Sequence, residues 1–156
     1  MFASAMTLLE SVDGVGASYL DLAEFISDHG AQNQIGPDLE QLFRRVIFNV
    51  LIGNRDDHLR NHGFIRERTG WRLAPAFDMN PNPSKAEHAL TIDGTTAAPD
   101  LDAALETADL YRLGPSPADR VVAQVREVVG AWRAEAESLA IARPEVVRME
   151  SVFQIG

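Results

Sequence analysis

Apolar residues recur at three- and four-residue spacing in two stretches of the first third of the chain, and this spacing predicts two helices. The first has Ser18 as a candidate N-cap, with Asp21 three residues later, and it ends at Gly30. The second opens at Pro37 and runs to Gly53. Apolar positions occupy most of the circumference of this second helix, so we expect it to be buried and to form the spine of the fold.

Two short runs after the second helix predict a small β-hairpin. The runs are Phe64-Ile65-Arg66 and Trp71-Arg72-Leu73, and Thr69-Gly70 supplies the turn between them. A weaker strand pattern lies around residues 88–92, inside a segment (84–98) that is otherwise typical of a loop.

The two ends of the chain follow different patterns. The first 17 residues are short apolar patches interrupted by Asp13-Gly14 and Gly16, so we expect a loop-rich lead-in there. In the second half, helical patterns predict helices over residues 100–112, from the Ser116 cap and Pro117 to about 140, and over 144–153. The expected fold class is mainly α (α+β), a single helical domain over residues 1–156 with one small β-hairpin.

Composition narrows the classes of function. The chain has 156 residues, of which 46% are hydrophobic and 24% charged, as is typical of a compact globular domain. Its formal charge of -9 opposes the basic surface that nucleic-acid binding requires. It has no cysteine, and no apolar run approaches the roughly 20 residues of a membrane span. We therefore expect a cytoplasmic protein that binds neither nucleic acid directly nor a membrane.

The polar segment between Gly53 and Gly63 holds the candidate chemistry. Asp56 is followed five residues later by Asn61, and Asp78 comes 17 residues after that, beyond the predicted hairpin. This is the spacing of a kinase catalytic loop, in which the first Asp accepts the proton of the substrate hydroxyl and the Asn and a later Asp hold magnesium. Asp and Asn also cap helices and form turns in many loops, so the spacing alone leaves a purely structural role open.

The wider context resembles the carboxy-terminal lobe of the HipA-like serine/threonine kinases. The resemblance rests on the runs Gly53–Phe64 and Trp71–Asp78, and it extends over Ser18–Gly30, Leu42–Leu51, Asn80–Pro83 and the helical tail. It implies a helical kinase lobe with the hairpin between the catalytic loop and the metal-binding Asp. It also implies ATP and Mg²⁺ as cofactors of the intact kinase, a protein substrate, and the antitoxin partner that is typical of this toxin family.

By the same resemblance, individual residues take roles. Asp56 becomes the candidate catalytic base, and Asn61 and Asp78 become magnesium ligands. The resemblance does not assign a residue that binds the rest of the nucleotide.

Three further residues of the loop are given supporting roles: Asp57, His58 and Arg60. His58 would shape the loop, and Arg60 is the arginine best placed to help hold phosphate. Asp57 is interpreted as a hydrogen-bonding support or a charged bystander, and an exchange of roles between the two adjacent aspartates stays open.

The chain departs from the family by omission. The amino-terminal lobe of these kinases supplies the lysine for the ATP phosphates, the loop that covers them and the serine whose phosphorylation silences the enzyme, and none is evident here. Lys85 is the only lysine, and it follows Asp78 instead of preceding the loop. We expect a truncated product in preference to a split protein, and little or no transfer activity from this lobe alone, because positioning supplies most of kinase catalysis.

Two other interpretations compete with the kinase. His58 and His62 are four residues apart, the spacing at which helical histidines bind zinc, and Asp56 or Asp57 is available as a third ligand of a metal-dependent hydrolase. The second alternative is a non-catalytic protein-interaction module of a toxin–antitoxin system, in which the polar loop only caps and turns the chain.

Overall fold

A helical body and one small antiparallel sheet make up the protein, for which a computed structural model describes residues 1–12 and 16–154. The helices are α1 (Ala5–Leu8), α2 (Tyr19–His29), α3 (Ile35–Ile52), α4 (Leu101–Glu106), α5 (Pro115–Gly130), α6 (Trp132–Ser138) and α7 (Arg143–Met149). The strands are β1 (Phe2–Ser4), β2 (Gly63–Arg66) and β3 (Trp71–Leu73), and short 3₁₀ turns cover Leu59–Asn61 and Ala108–Tyr111. The mainly α (α+β) class is confirmed. None of the helices in this described part combines the length and the apolar character that crossing a membrane requires.

The start of α2 is held by the reciprocal cap that the sequence predicts. The Ser18 hydroxyl accepts a hydrogen bond from the Leu20 N–H at 3.0 Å, and the Asp21 carboxylate accepts one from the Ser18 N–H at 2.8 Å. These contacts satisfy two backbone donors that the first helical turn leaves without partners. The predicted end at Gly30 is also confirmed.

Helix α3 is the spine of the fold, as its apolar pattern predicts. It packs against α2, α5 and β3 and ends at Gly53, whose left-handed backbone (φ 63°) stops the helix. A Cβ atom at Gly53 would come within 2.5 Å of the buried side chain of Val152. The chain after α7 therefore covers the end of α3, where the Gln154 N–H also donates to the Leu51 carbonyl at 2.7 Å.

The sheet has the order β1-β2-β3, with both pairs antiparallel. Its β2-β3 hairpin is the predicted one. The expectation of a loop-rich lead-in is wrong for residues 2–8, which form the edge strand β1 and the short helix α1, while Asp13-Gly14 lies outside the described residues. Three residues are too few to show alternation, and Phe2–Ser4 is a strand only because distant residues of β2 pair with it.

The predicted strand around residues 88–92 is also wrong. Only one isolated bridge forms there, between Thr91 and Ser18. Leu90 and Ile92 are buried, so the apolar pattern reports burial in the core. Asp93 then accepts hydrogen bonds from the Thr95 and Thr96 N–H groups at 2.8 and 2.6 Å, and these contacts turn the chain.

The helices of the second half exist, but they are shorter than predicted. The helix expected over 100–112 ends at Thr107, whose hydroxyl donates to the Ala104 carbonyl at 2.8 Å and closes the last turn. The long helix begins at Pro115, one residue before the predicted Ser116 cap, and is interrupted at Ala131 between α5 and α6. After this break, the ring of Trp132 stacks on that of Phe153 with centroids 4.4 Å apart.

Candidate active site

The polar segment between Gly53 and Gly63 is a loop that joins α3 to β2. It opens with the Asn54 N–H donating to the Asn49 carbonyl at 2.9 Å, which extends the hydrogen bonding of α3 past Gly53. The loop closes in the 3₁₀ turn of residues 59–61, where the Asn61 N–H donates to the His58 carbonyl at 2.8 Å. The next carbonyl, that of His62, accepts from the Ala5 N–H at 2.7 Å. Backbone contacts thus fix both ends of the loop.

Two of the predicted site residues are brought into direct contact across the hairpin. The Asn61 side-chain amide donates to Oδ2 of Asp78 at 2.9 Å, and the amide of Asn80 donates to Oδ1 of the same carboxylate at 3.0 Å. Asn61 is buried, whereas Asp78 is exposed. The backbone of Asp78 is left-handed (φ 55°), a conformation that Asp adopts more readily than most residues. The hairpin therefore returns the chain to the loop, as the sequence predicts.

Helix α3 fixes the position of the segment that leads from β3 to Asp78. The Asp38 carboxylate binds the Arg72 guanidinium through two hydrogen bonds, at 2.9 and 3.1 Å, and also accepts from the Leu73 N–H at 3.0 Å. The bond to Asp38 raises the pKa of Arg72. Further along the same helix, the buried guanidinium of Arg45 donates a hydrogen bond to the Ala74 carbonyl. These contacts bind β3 and its continuation to α3 and so direct the chain toward Asp78.

The Asn61–Asp78 pair offers carboxylate and amide oxygens as candidate metal ligands. The contact between them uses the amide nitrogen of Asn61, so the carbonyl oxygen of this amide and the carboxylate of Asp78 both present oxygen donors. Mg²⁺ prefers oxygen ligands and is usually held by one or two carboxylates together with water and substrate phosphates. The described residues contain no group of three or more His, Cys, Asp or Glu side chains that could hold a metal. The pair fits Mg²⁺ shared with a phosphate, and it does not form a closed protein cage.

Asp56 lies on the outer side of the loop, and its side chain is 48% exposed. Oδ1 of Asp56 contacts the His58 Nε2 atom at 3.1 Å and the Lys85 ammonium, which is its second partner. The bond from Lys85, with a smaller contribution from His58, lowers the pKa of Asp56. The carboxylate is therefore ionised at neutral pH, and both of these contacts fall on the same oxygen.

Lys85 is brought to Asp56 by the segment that follows Asp78. The Asn82 N–H donates to the Gly53 carbonyl at 2.9 Å, and the Asn82 side chain accepts from the Ser84 N–H at 2.9 Å. The Arg55 guanidinium then donates to the Lys85 carbonyl at 2.7 Å. The sequence gives no signal for this contact beyond the presence of a single lysine.

Asp57 points the other way, into the protein, and is buried. Its Oδ2 atom accepts hydrogen bonds from the Tyr19 hydroxyl at 2.7 Å and the Asn49 amide at 2.8 Å, and it lies 2.8 Å from Nε2 of His62. The side-chain oxygen of Asn49 in turn accepts a hydrogen bond from the side-chain amide of Asn54 at 3.1 Å. Burial, followed by the charge of Asp57, raises the pKa of Tyr19. We call these five residues the anchor network: Tyr19, Asn49, Asn54, Asp57 and His62.

The structure does not gather all of the predicted residues at one point. Within the described part of the chain, no hydrogen bond joins Asp56 to Asn61 or Asp78. Arg60 occupies the 3₁₀ turn with an exposed side chain. His58 and His62 each face a different aspartate, which is unlike two ligands of one zinc ion.

Reasoning from the sequence gave no role to five residues of the site: Tyr19, Asn49, Asn54, Asn80 and Lys85. Asn49 carries a usable signal, because it lies in the most apolar part of α3 and a buried amide in such a position needs hydrogen-bond partners. Tyr19 has no such signal, since an aromatic residue near a helix start is usually part of the core.

The chain matches the model of the HipA-like C-terminal domain family over residues 1–133. A Haemophilus influenzae protein named "Putative kinase" is 37% identical over 82 residues, which cover 48% of this chain and 23% of that protein.

A solved structure of the Shewanella oneidensis MR-1 toxin–antitoxin system, in which HipA and HipB form a complex with operator DNA, also matches. The TM-score is 0.67 at 17% identity, and the match covers 96% of this chain and 36% of that one. At this identity the likeness concerns the fold. The chain thus spans about a quarter of its curated relative and about a third of its structural neighbour.

Proposed function

The chain belongs to the HipA-like C-terminal domain family, and we propose that it is the carboxy-terminal lobe of a protein serine/threonine kinase. In this proposal it contributes the base and the magnesium ligands for transfer of the γ-phosphate of ATP to a protein hydroxyl. The observation that carries the proposal is the contact between Asn61 and Asp78 across the hairpin. Asn61 lies on the same loop as Asp56, whose carboxylate is about half exposed. These residues would supply the base and the metal ligands that phosphoryl transfer needs.

Asn61 and Asp78 would hold Mg²⁺ with their oxygen atoms. The bond from the Asn80 amide orients the Asp78 carboxylate, as outer hydrogen bonds do for metal ligands in general. When bound, Mg²⁺ supplies positive charge against the ATP phosphates.

Asp56 would act on the hydroxyl of the substrate. The contacts with His58 and Lys85 keep this carboxylate ionised and fall on Oδ1, which leaves Oδ2 to accept the proton. As the hydroxyl oxygen bonds to the γ-phosphorus, the bond from phosphorus to the bridging oxygen breaks, the proton passes to Asp56, and ADP leaves.

A second lobe and a second protein complete the proposal. Kinase catalysis depends on positioning the nucleotide between two lobes, and this chain corresponds to only part of each relative, so we expect the chain alone to transfer phosphate very slowly. HipA of Shewanella oneidensis assembles with HipB and operator DNA. We propose a protein antitoxin partner here too, with DNA contacted through that partner, because the chain has a formal charge of -9.

Calorimetry with ATP tests the proposal on the natural protein that carries this chain. We expect ATP binding that requires Mg²⁺ and that Asp78→Ala abolishes, while the matched change Asp119→Ala, at an exposed position on α5, leaves it intact. Binding that ignores Mg²⁺ or survives Asp78→Ala would contradict the proposed metal site. Failure to bind ATP at all would favour the non-catalytic interaction module.

A further inference from the structure

Lys85 is the single lysine of this sequence, and the fold brings its ammonium group to Asp56, the candidate base. A salt bridge between exposed partners contributes little to stability, about 0–1 kcal/mol, and both side chains here are nearly half exposed. Two hydrogen bonds nevertheless tie the segment of residues 82–85 back to Gly53 and Arg55 at the start of the loop, and a third, from the Ser84 N–H to the Asn82 side chain, turns the segment itself. The pair therefore calls for an explanation other than stability.

On the basis of the proposed function, we infer that Lys85 is a phosphate-positioning residue: it pairs with Asp56 and turns to the transferred phosphoryl group when ATP is bound. This role lies beyond the set Asp56, Asn61 and Asp78, and it makes the segment after Asp78 part of the nucleotide site.

The distances between reacting groups allow Lys85 to move from Asp56 to the phosphoryl group. A hydroxyl that gives its proton to Asp56 lies about 2.6–3.2 Å from the carboxylate, and the phosphorus it attacks lies about 3–3.5 Å beyond. The phosphoryl oxygens then lie only a few ångströms from the carboxylate that Lys85 already contacts. The four-carbon side chain can cross that gap by rotation about its own bonds, while its backbone stays fixed by Arg55.

The charges favour the same exchange. When it is paired with Asp56, Lys85 lowers the pKa of this carboxylate and favours its ionised form. When the nucleotide arrives, its phosphates carry more negative charge than one carboxylate and attract the ammonium away from Asp56. The pKa of Asp56 then returns toward its ordinary value, so Oδ2 accepts the proton more readily, and the ammonium stabilises the charge that develops on the phosphoryl group.

Chemical labelling tests the inference without any substrate. Acetylation by an N-hydroxysuccinimide ester, followed by mass spectrometry of the peptide, reports how accessible the Lys85 amine is. In the chain alone, we expect Asp56→Asn to speed the acetylation of Lys85 by about 1.5- to 5-fold, the range that an exposed ion pair allows. The amino-terminal amine of the same protein serves as the internal control, and an unchanged rate at Lys85 would contradict the pairing.

The nucleotide arm uses the natural protein that carries this chain. We expect MgATP to protect Lys85 from acetylation in the wild type and also in Asp56→Asn, because the phosphate holds the ammonium in both. MgADP, which lacks the γ-phosphate, should protect far less. Equal protection by MgADP, or none by MgATP in a protein that binds MgATP by calorimetry, would overturn the inference while leaving the proposed kinase intact.

Kinetics separate a positioning role from a merely structural one. With a degenerate serine/threonine peptide library as the hydroxyl donor, we expect Lys85→Ala to lower kcat on the order of 10²-fold, with KM for the peptide unchanged. The acid limb of the pH profile of kcat/KM for ATP, which reports the nucleotide-free enzyme, should move to higher pH, since Asp56 loses the charge that lowers its pKa there. Lys85→Arg should restore the position of this limb, and Arg126→Ala, an exposed charge on α5, should change nothing.

The failures of the two proposals are distinguishable. If Lys85→Ala leaves kcat and the acid limb unchanged while Asp56→Asn abolishes transfer, Lys85 has no such role and the kinase proposal stands. If Asp56→Asn transfers phosphate as fast as the wild type does, the proposed function itself is wrong.

Discussion

Asp56 and Asp57 are neighbours in the chain, yet the two sides of the loop give them opposite surroundings. Asp56 lies half exposed and contacts Lys85 and His58 through one oxygen. Asp57 is 3% exposed and is surrounded by the side chains of the anchor network. The difference shows that environment, and not residue type, separates the two carboxylates: one is open to solvent, and the other ties the loop to the helices behind it.

The anchor network also explains how a polar loop becomes rigid. Tyr19 comes from α2 and Asn49 from α3, so a single carboxylate joins the loop to two helices that pack against each other. A buried polar network of this kind stabilises one arrangement only while each member has its partners. Breaking it should therefore cost stability, whereas breaking the contacts of Asp56 should not.

The largest effect is expected at the centre of the network. Asp57→Ala leaves the Tyr19 hydroxyl and the Asn49 amide buried without their acceptor, and we expect the free energy of unfolding to fall by about 3–5 kcal/mol. Urea denaturation followed by circular dichroism measures it. Asp119→Ala is the matched control, and a loss below about 1 kcal/mol for Asp57→Ala would remove the distinction between the two aspartates.

A smaller loss should follow from removing one donor to the same carboxylate. Tyr19→Phe keeps the ring in the core but deletes a hydroxyl that bonds to Asp57 at 2.7 Å, and we expect a cost of about 1–3 kcal/mol. The same denaturation experiment applies. If Tyr19→Phe costs as much as Asp57→Ala, the ring and not the network holds the loop.

The buried side of the loop should also respond to pH. Burial, aided by the charge of Arg55, lowers the pKa of His88, which lies beside Asn54 and Asp57. Because its folded pKa is below the unfolded value of about 6.5, the unfolded state binds more protons, and stability is lost as pH falls from about 6.5 toward the folded pKa. His88→Gln should flatten this part of the stability profile, and His29→Gln, at an exposed position, should not. Equal slopes in all three proteins would refute the assignment.

The smallest change in stability is expected at Asp56. Asp56→Ala removes only contacts between partly exposed groups, so the free energy of unfolding should shift by about 0.5 kcal/mol or less. Comparison with Asp57→Ala in one denaturation series gives the sharpest form of the contrast. A loss at Asp56 similar to that at Asp57 would show that both sides of the loop are structural.

Local signals account for the parts of the fold that the sequence predicts correctly. Ser18 and Asp21 cap α2, Gly53 stops α3, and a Thr-Gly turn joins the strands of the hairpin. β1 is a strand only through distant pairing, and Leu90 and Ile92 are apolar because they face the core. Neither fact is visible in a short window of sequence.

The site divides in the same way. The spacing of Asn61 and Asp78 around a hairpin is enough to predict that they approach each other, and they do. Lys85 approaches Asp56 only because Asn82 and Arg55 tie the intervening segment to the loop. An irregular segment has no periodic pattern in its sequence, so the contacts that depend on its path cannot be predicted from such a pattern.

The packing of Val152 over Gly53 bears on how such domains are exchanged between genes. Similarity to the family model stops at residue 133, but the fold continues, with Trp132 stacked on Phe153 and the Gln154 N–H bound to the Leu51 carbonyl. A gene fusion joined at residue 133 would remove the residues that cover the end of α3, from which the loop begins. The module that evolution or an engineer can transplant intact is therefore longer than the stretch that similarity delimits.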